Sequence, residues 1–193
     1  MSVEKLTPQD IKDIQSTAKL VISPKELNEG ITTLSEKLNK KFADKNPICV
    51  CVMTGGLFVT AGVLNRLKFP LQMDYVHVSR YHGSCYGQTL QWLRPPSIDP
   101  YGRDVIIFDD ILDGGITLAE VSKYFMRHGA NVTTVVLLDK KVQREKGGLI
   151  RADYSCFQVE DAYVFGYGLD YHGYLRNAPG IYGVPEEYIR KFR

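Results

Sequence analysis

The sequence of 193 residues predicts an α/β protein with an open parallel sheet that is flanked by helices. From residue 47 onwards, short apolar runs alternate with amphipathic stretches of helical length, which is typical of strands joined by crossover helices. Several runs lack polar residues, as expected for strands covered on both faces. The last third is rich in aromatics and turns, which predicts a small hood over the carboxyl ends of the strands.

The chain length fits a single domain, residues 1–193, with the hood formed by parts of the N-terminal and C-terminal segments. The 24 Lys and Arg residues nearly balance the 22 Asp and Glu residues, so the charge gives no reason to expect nucleic-acid binding. No apolar run reaches the roughly 18 residues that a membrane span needs, and the first residues lack the apolar core of a signal peptide. A cytoplasmic location without a membrane partner is therefore expected.

Two helices are predicted before the sheet begins. Thr7 and Ser23 are each followed by a proline at the first helical position and an acid at the third, the signature of a capped helix start. Apolar residues then recur at helical spacing. In the second helix they form a continuous stripe, made of Leu27, Ile31, Leu34, Leu38 and Phe42.

The elements of the sheet follow from the same alternation. Predicted strands cover residues 47–53, 72–80, 105–108 and 131–138, with a returning strand at residues 90–93. Predicted helices cover residues 55–68 and about 116–128. Residues 82–88 are polar and contain glycine, which predicts a mobile loop.

The strand at residues 105–108 leads into the most informative motif of the chain. The motif is made of Asp109, Asp110, Asp113, Gly114, Gly115, Ile116 and Thr117. Backbone N–H groups at a helix start can bind a phosphate at the carboxyl end of a strand, and adjacent acids suit ribose hydroxyls or a magnesium ion. The motif therefore predicts a site for a phosphorylated ribose, although turn and capping preferences alone also favour Asp and Gly here. It lacks the patterns of P-loop and dinucleotide-binding sites.

Residues 109–117 resemble the phosphoribosyl-diphosphate-binding motif of purine phosphoribosyltransferases. Residues 52–56 resemble the pyrophosphate loop of that family, and residues 138–141 and 163–171 resemble its base-binding segments. Their order and spacing resemble the hypoxanthine-guanine branch over about residues 48–184. The resemblance implies the type I phosphoribosyltransferase fold.

The implied reaction belongs to purine salvage. Ribose 5-phosphate would pass from phosphoribosyl diphosphate to hypoxanthine or guanine, which gives IMP or GMP and pyrophosphate. Xanthine is left open as a third base. The resemblance also implies Mg²⁺ as cofactor, small-molecule substrates as partners, and a homodimer or homotetramer.

The resemblance assigns roles to the phosphate motif. Asp109 and Asp110 would bind the ribose hydroxyls and magnesium, and Asp113 would be catalytic by handling a proton or charge at the purine N7. The 5-phosphate would be held by Gly114, Gly115, Ile116 and Thr117. Many relatives have Thr and Lys where this chain has Gly114 and Ile116, so a cation is missing from the loop.

The resemblance also implies the remaining contacts. Thr54, Gly55 and Arg176 would bind the diphosphate; many relatives have Lys in place of Thr54, and the Thr54–Gly55 peptide can be cis. The base would be bound by Lys140, Tyr163, Val164 and Asp170. Lys140 would donate to the 6-oxo group, Tyr163 would stack, and Asp170 would also hold a second magnesium. Tyr81 would begin a lid.

Other interpretations of these residues stay open at this point. Asp113 could cap a helix, Thr54 and Gly55 could start one, Lys140 could be an exposed residue at a strand end, and Tyr163 could be core. A regulator that keeps the fold to sense phosphoribosyl diphosphate or purines is the alternative to an enzyme. The enzyme is favoured because Asp113 and the loop at residues 82–88 are present and no basic face suits DNA.

Overall fold

The computed structural model describes residues 6–80 and 90–191 and has a six-stranded sheet at its centre. In chain order the elements are α1 (Pro8–Thr17), β1 (Lys19–Ile22), α2 (Pro24–Lys41), β2 (Ile48–Met53), α3 (Leu57–Leu64), β3 (Gln72–Arg80), β4 (Leu90–Arg94), β5 (Asp104–Leu112), α4 (Ile116–Arg127), β6 (Asn131–Lys140), β7 (Tyr154–Val159), β8 (Val164–Phe165), β9 (Ile181–Gly183) and α5 (Glu186–Lys191). The predicted α/β fold is confirmed.

The strand order of the central sheet is β4-β3-β2-β5-β6-β7. Neighbours from β3 to β7 pair parallel, whereas β4 pairs antiparallel with β3. The sheet is therefore parallel except at this edge, where β4 is the returning strand predicted at residues 90–93. The link between β3 and β4, residues 81–89, is shorter than the dozen or so residues that a parallel crossover needs, so β4 returns antiparallel.

Apolar side chains cover both faces of the sheet, which explains why its strands lack polar alternation. On one face, Leu34 of α2 and Val59 of α3 belong to the same buried cluster as Phe108 of β5. On the other face, Val121 and Phe125 of α4 pack with the opposite side chains of the strands. Burial of this apolar surface on both sides is the main stabilising term of the fold.

Both predicted helix starts are confirmed as capping boxes. The Thr7 hydroxyl accepts from the Asp10 N–H, and the Asp10 carboxylate accepts from the Thr7 N–H at 2.9 Å. Ser23 and Glu26 repeat this exchange, with the Ser23 N–H at 2.8 Å from Glu26 Oε2. No helix within residues 6–80 and 90–191 is both long and apolar enough to cross a bilayer.

Two element boundaries differ from the prediction in a way that affects the site. β5 and β6 pair as far as Leu112 and Asp139, so β5 continues past Phe108 and contains Asp109 and Asp110. The helix predicted over residues 55–68 is α3, Leu57–Leu64, and is shorter at both ends. It ends in a tight turn, because the N–H groups of residues 66 and 67 bond to carbonyls three residues back.

The hood contains a second, three-stranded antiparallel sheet of order β1-β9-β8. Strand β1 was not predicted, and it joins residues near the N-terminus to residues near the C-terminus. A separate buried cluster holds the hood together, with Ile14 of α1 packed among Phe165, Tyr171 and Leu175. The hood lies beside the carboxyl end of β5, because its residues 168–176 share a cleft with Asp109 and Asp110.

Asp74 on β3 anchors the chain that follows β4. Its carboxylate is 5% exposed and accepts N–H bonds from Ser97 at 2.6 Å, Ile98 at 3.0 Å and Tyr75 at 2.8 Å. Arg94 Nη1 lies 3.2 Å from Asp74 Oδ1. Burial opposes ionisation of this carboxyl, but the N–H bonds from Ile98, Ser97 and Tyr75 outweigh it and lower the pKa of Asp74.

We expect Asp74→Asn to lower the free energy of unfolding by about 1–3 kcal/mol at neutral pH, because an amide nitrogen would face the N–H groups that the carboxylate now accepts. A lowered folded-state pKa stabilises the protein above the ordinary Asp pKa, and this stabilisation is lost as pH falls through the folded value. The difference in unfolding free energy between wild type and variant should therefore shrink as the pH falls below the ordinary pKa of Asp. Denaturant titrations at several pH values measure this difference, and the substitution of an exposed acid, Asp44→Asn, is the control. A difference in unfolding free energy that is the same at every pH would contradict the proposed role of the Asp74 charge.

Candidate active site

Two adjoining cavities lie at the carboxyl ends of β2, β5 and β6, beneath the hood. The first, a cleft of about 330 Å³, is lined among others by Met53, Gly55, Asp109, Asp110, Asp113, Gly115, Thr117, Asp170 and Arg176. The second, of about 190 Å³, is lined among others by Asp110, Asp113, Lys140, Tyr163, Val164 and Asp170. Asp110, Asp113 and Asp170 line both, so these acids form the junction of one continuous site.

The adjacent acids of β5 are bonded to each other and to the strand backbone. Asp109 is 8% exposed, and its Oδ1 accepts the Asp110 N–H at 3.0 Å. The Asp110 carboxylate accepts the Ile111 N–H at 2.8 Å. Burial raises the pKa of Asp110; the neighbouring Asp170 carboxylate acts in the same direction, whereas Arg176 acts against it.

Gly55 lets the loop after β2 touch the acids of β5. A Cβ atom at this position would overlap the Asp110 carboxylate, so the close approach requires glycine. A cis peptide is present in this loop at Met53–Thr54, one bond before the Thr54–Gly55 peptide that the resemblance indicated. The Thr54 side chain is exposed and does not line either cavity.

Asp113 is not a helix cap. Helix α4 is preceded by Gly115 at φ +82°, without a side-chain cap bond. The Asp113 side chain is 53% exposed and its Oδ2 lies 3.5 Å from Lys140 Nζ. Asp113 lines both cavities. Gly114 and Ile116 do not line either cavity, whereas Gly115 and Thr117 line the larger one.

Lys140 is not an exposed residue at a strand end. Its side chain is 11% exposed, and Nζ lies 3.0 Å from Asp161 Oδ1 in addition to its contact with Asp113. The adjacent Lys141 points away and pairs with Glu160 at 2.6 Å while about half exposed. The two lysines differ because β6 ends at Lys140, so that Lys141 lies outside the strand.

The hood supplies an aromatic wall and a buried strand to the smaller cavity. Tyr163 is 40% exposed, which excludes it from the core, and its ring centroid lies 5.4 Å from that of Tyr171. Burial raises the pKa of Tyr163, and the Asp170 carboxylate adds to this effect. Val164 is buried in β8, whose backbone pairs with β9.

Asp170 and Arg176 form an ion pair at the edge of the larger cleft. Arg176 Nη2 lies 2.7 Å from Asp170 Oδ1, and Arg176 Nη1 donates to the carbonyl of Gly168 at 2.6 Å. The second Asp170 oxygen accepts the Gly173 N–H at 2.6 Å. Arg176 is about one-quarter exposed, so its guanidinium can also reach an anion in the cleft.

The predicted magnesium ligands share the cleft but do not form a closed set. In the described part of the chain, no three His, Cys, Asp or Glu side chains are grouped closely enough to hold a metal by themselves. Asp109, Asp110 and Asp170 nevertheless line the same cleft. This arrangement fits Mg²⁺, which usually keeps several waters and binds one or two carboxylates together with substrate phosphates.

Some residues of the site were not found from the sequence, and one predicted residue lies outside the structure. Asp161 pairs with Lys140, and Arg144 donates to the carbonyls of Leu112 and Asp113. Neither stands in a motif, so only the three-dimensional contact identifies it. The predicted lid residue Tyr81 lies outside the described residues.

Comparisons with known proteins agree with this geometry. Residues 23–172 match the family model of the phosphoribosyl transferase domain. The hypoxanthine-guanine phosphoribosyltransferase of Streptococcus pneumoniae (strain ATCC BAA-255 / R6) is 35% identical over 171 residues, which are 88% of this chain and 94% of that protein. The hypoxanthine-guanine-xanthine phosphoribosyltransferase of Tritrichomonas foetus is 31% identical over 172 residues, 89% of this chain and 93% of that protein.

A solved structure is similar over the same region. Hypoxanthine phosphoribosyltransferase from Trypanosoma cruzi, in complex with the product IMP, superposes with a TM-score of 0.80 at 27% identity, covering 88% of this chain and 95% of that one. The family model spans every cavity-lining residue named above except Arg176. The chain that contains the acid-lined cleft, the buried lysine and the hood thus belongs to the enzyme family of hypoxanthine-guanine phosphoribosyltransferases.

Proposed function

We propose that this protein transfers ribose 5-phosphate from phosphoribosyl diphosphate to hypoxanthine and guanine in purine salvage, which gives IMP or GMP and pyrophosphate. The observation that carries the proposal is the Lys140 ammonium, held beside Tyr163 in a cavity that opens through Asp113 into the acid-lined cleft. A donor and an aromatic wall suit a 6-oxopurine, and the cleft suits a phosphorylated ribose. The names of the relatives and the IMP complex of the T. cruzi enzyme support it.

In the proposed mechanism each group has a separate role. Asp109 and Asp110 accept hydrogen bonds from the ribose hydroxyls, and Arg176 contacts the diphosphate. The purine nitrogen forms a bond to ribose C1 as the bond from C1 to the diphosphate oxygen breaks. The purine loses a proton overall, and Asp113, at the junction of the two cavities, accepts it or stabilises the charge at N7.

Binding of the base uses the smaller cavity. Lys140 donates to the 6-oxo group, Tyr163 stacks on the purine face, and the backbone of Val164 faces the opposite edge of the ring. Fixed donors and a stacked base reduce the loss of orientational freedom during the reaction. The lid that the sequence predicts at Tyr81 would exclude water, and it stays a prediction.

Mg²⁺ is proposed as the cofactor, with Asp109, Asp110 and Asp170 as the side chains that would contact it or its waters. When bound with the diphosphate, the ion neutralises charge on the leaving group. A cytoplasmic location and assembly into a homodimer or homotetramer also stay predictions. Exposed apolar side chains on β3 and β4, Met73, Tyr75 and Leu93, support self-association.

The proposed activity is tested with a panel of hypoxanthine, guanine, xanthine and adenine in the presence of phosphoribosyl diphosphate and Mg²⁺. We expect rapid formation of IMP and GMP, and loss of activity in excess chelator that returns on adding Mg²⁺. Xanthine is included because the T. foetus relative is named for it. Full activity in excess chelator would contradict the proposed need for Mg²⁺. If no purine yields a nucleotide, the result would favour a protein that senses these ligands over an enzyme.

We expect Asp113→Ala to lower kcat by about 10²–10⁴-fold with little change in the substrate KM values, because a general acid–base group acts mainly in the transition state. Steady-state kinetics with both substrates measures this, and exposed Asp44→Ala, remote from both cavities, is the control. A rise in KM with kcat unchanged would assign Asp113 to binding instead.

We expect adenine to be rejected by about 10⁴-fold relative to hypoxanthine, because the Lys140 ammonium has only donors and would face the 6-amino group. Lys140→Ala should lower kcat/KM for hypoxanthine and guanine. The ratio of these values to kcat/KM for adenine should therefore become smaller. The adjacent Lys141→Ala is the matched control, since Lys141 pairs with Glu160 outside both cavities. Use of adenine within about tenfold of hypoxanthine by the wild type would refute this role.

A further inference from the structure

We infer that Arg144 is a positioning residue that orients the backbone of the phosphate loop, residues 112–117, for anion binding. The inference rests on the proposed function, because it concerns the loop that would hold the 5-phosphate. Arg144 lies in the segment that follows β6, and residues 144–150 are called the brace below. Neither Arg144 nor any other brace residue lines the two cavities.

The Arg144 guanidinium is buried and its donors are used on backbone carbonyls of the loop. Its side chain is 9% exposed, and Nη1 donates to the carbonyls of Leu112 at 2.9 Å and Asp113 at 2.7 Å. Nε donates to the carbonyl of Ile150 at 3.2 Å, within the brace itself. Nη2 pairs with the carboxylate of Asp139, which is 12% exposed, so the buried charge has its counter-ion.

Backbone N–H groups of the brace bond to the next two carbonyls of the phosphate loop. The N–H of Glu145 donates to the carbonyl of Gly114 at 3.0 Å, and the N–H of Leu149 donates to the carbonyl of Gly115 at 3.0 Å. Four consecutive carbonyls, those of residues 112–115, are therefore bonded to the brace. Such a run of carbonyls turned the same way needs an external set of donors.

Planar trans peptides transmit this orientation to the opposite side of the loop. In each peptide the carbonyl of one residue and the N–H of the next point in opposite directions. Carbonyls that point to the brace therefore turn the N–H groups of residues 113–116 away from it. Of these residues Asp113 and Gly115 line the cleft, whereas the brace does not, so the side of the loop turned away from the brace is the side that meets the cleft.

The contact between loop and brace also explains why the loop has glycine at residue 115. A Cβ atom at Gly115 would lie 2.6 Å from the Leu149 carbonyl oxygen, and the φ of +82° at this residue favours glycine, whereas a Cβ atom at Gly114 would meet the end of the exposed Glu145 side chain. The brace thus occupies the space that a larger loop residue would fill. With Ile116 in place of a lysine, this loop depends on oriented backbone amides for anion binding.

A lysine at position 144 could not replace the arginine. The guanidinium presents five donors in a planar fork, which here contact two loop carbonyls, one brace carbonyl and Asp139. An ammonium has three donors around one atom and cannot span these acceptors. Rescue by Lys should therefore be partial at best, although the charge is kept.

The test compares ligands that use different parts of the site. In Arg144→Gln we expect the KM for phosphoribosyl diphosphate and the Kd of ribose 5-phosphate to rise by about 10- to 100-fold, as for loss of a charged hydrogen bond. The KM for hypoxanthine and the Kd of pyrophosphate should change by less than about threefold. The ³¹P chemical shift of bound ribose 5-phosphate should also move toward that of the free ligand. Exposed Arg151→Gln is the control.

Two further variants keep the test decisive if Arg144→Gln is poorly folded. Asp139→Asn should raise the KM for phosphoribosyl diphosphate and the Kd of ribose 5-phosphate by less than Arg144→Gln does. The effects of the two substitutions should not add, because the two residues form one pair. In Gly148→Ala the new Cβ would overlap the carbonyl oxygen of Gly114, so it should displace the loop with Arg144 intact. Folding of every variant is checked by its thermal midpoint.

Three outcomes would overturn the inference. The first is an unchanged Kd of ribose 5-phosphate in folded Arg144→Gln. The second is an equal loss of affinity for ribose 5-phosphate, pyrophosphate and hypoxanthine, because that result would assign a purely structural role to Arg144. Absence of ribose 5-phosphate binding by the wild type is the third. Wild-type protein that binds ribose 5-phosphate but forms no nucleotide would instead refute the proposed function, and the binding comparison among variants would still decide the role of Arg144.

Discussion

The parallel pairing of β5 with β6, which continues to Leu112 and Asp139, is the constraint on which the site depends. Parallel strands end at the same edge of a sheet, so this pairing brings the acids of β5 next to Lys140 of β6. It also brings the segments after the two strands together, which are the phosphate loop and the brace. One backbone ladder thus fixes Lys140, the acids of β5 and the support of the phosphate loop relative to one another.

The charge of the cleft sets a second constraint. Among the described residues it is lined by four aspartates, Asp109, Asp110, Asp113 and Asp170, and a single arginine, Arg176. A phosphorylated substrate is itself an anion, so the side chains alone would repel it. Oriented backbone amides of the phosphate loop and a divalent ion supply the missing positive potential in the proposed mechanism. This is why the carbonyls of residues 112–115 have to be held away from the cleft.

Close backbone contacts replace side-chain bulk where the segments of the site meet. Gly55 approaches the Asp110 carboxylate, and Gly115 at φ +82° approaches the brace. In both places a methyl group would force the two segments apart. The packing therefore requires glycine where the loop after β2 meets the acids of β5 and where the phosphate loop meets the brace.

Features that depend on neighbours in the chain were determined by the sequence. The capping boxes at Thr7 and Ser23 close over three residues, the apolar runs of the central strands need only to be buried, and the acids and glycines of residues 109–117 are contiguous. Tertiary structure alone decided the pairing of β1 with β9, the Asp161 contact of Lys140 and the bonds of Arg144. Each of these depends on a partner that folding supplies from elsewhere in the chain, and no local pattern of residues encodes which carbonyl or carboxylate that partner will be.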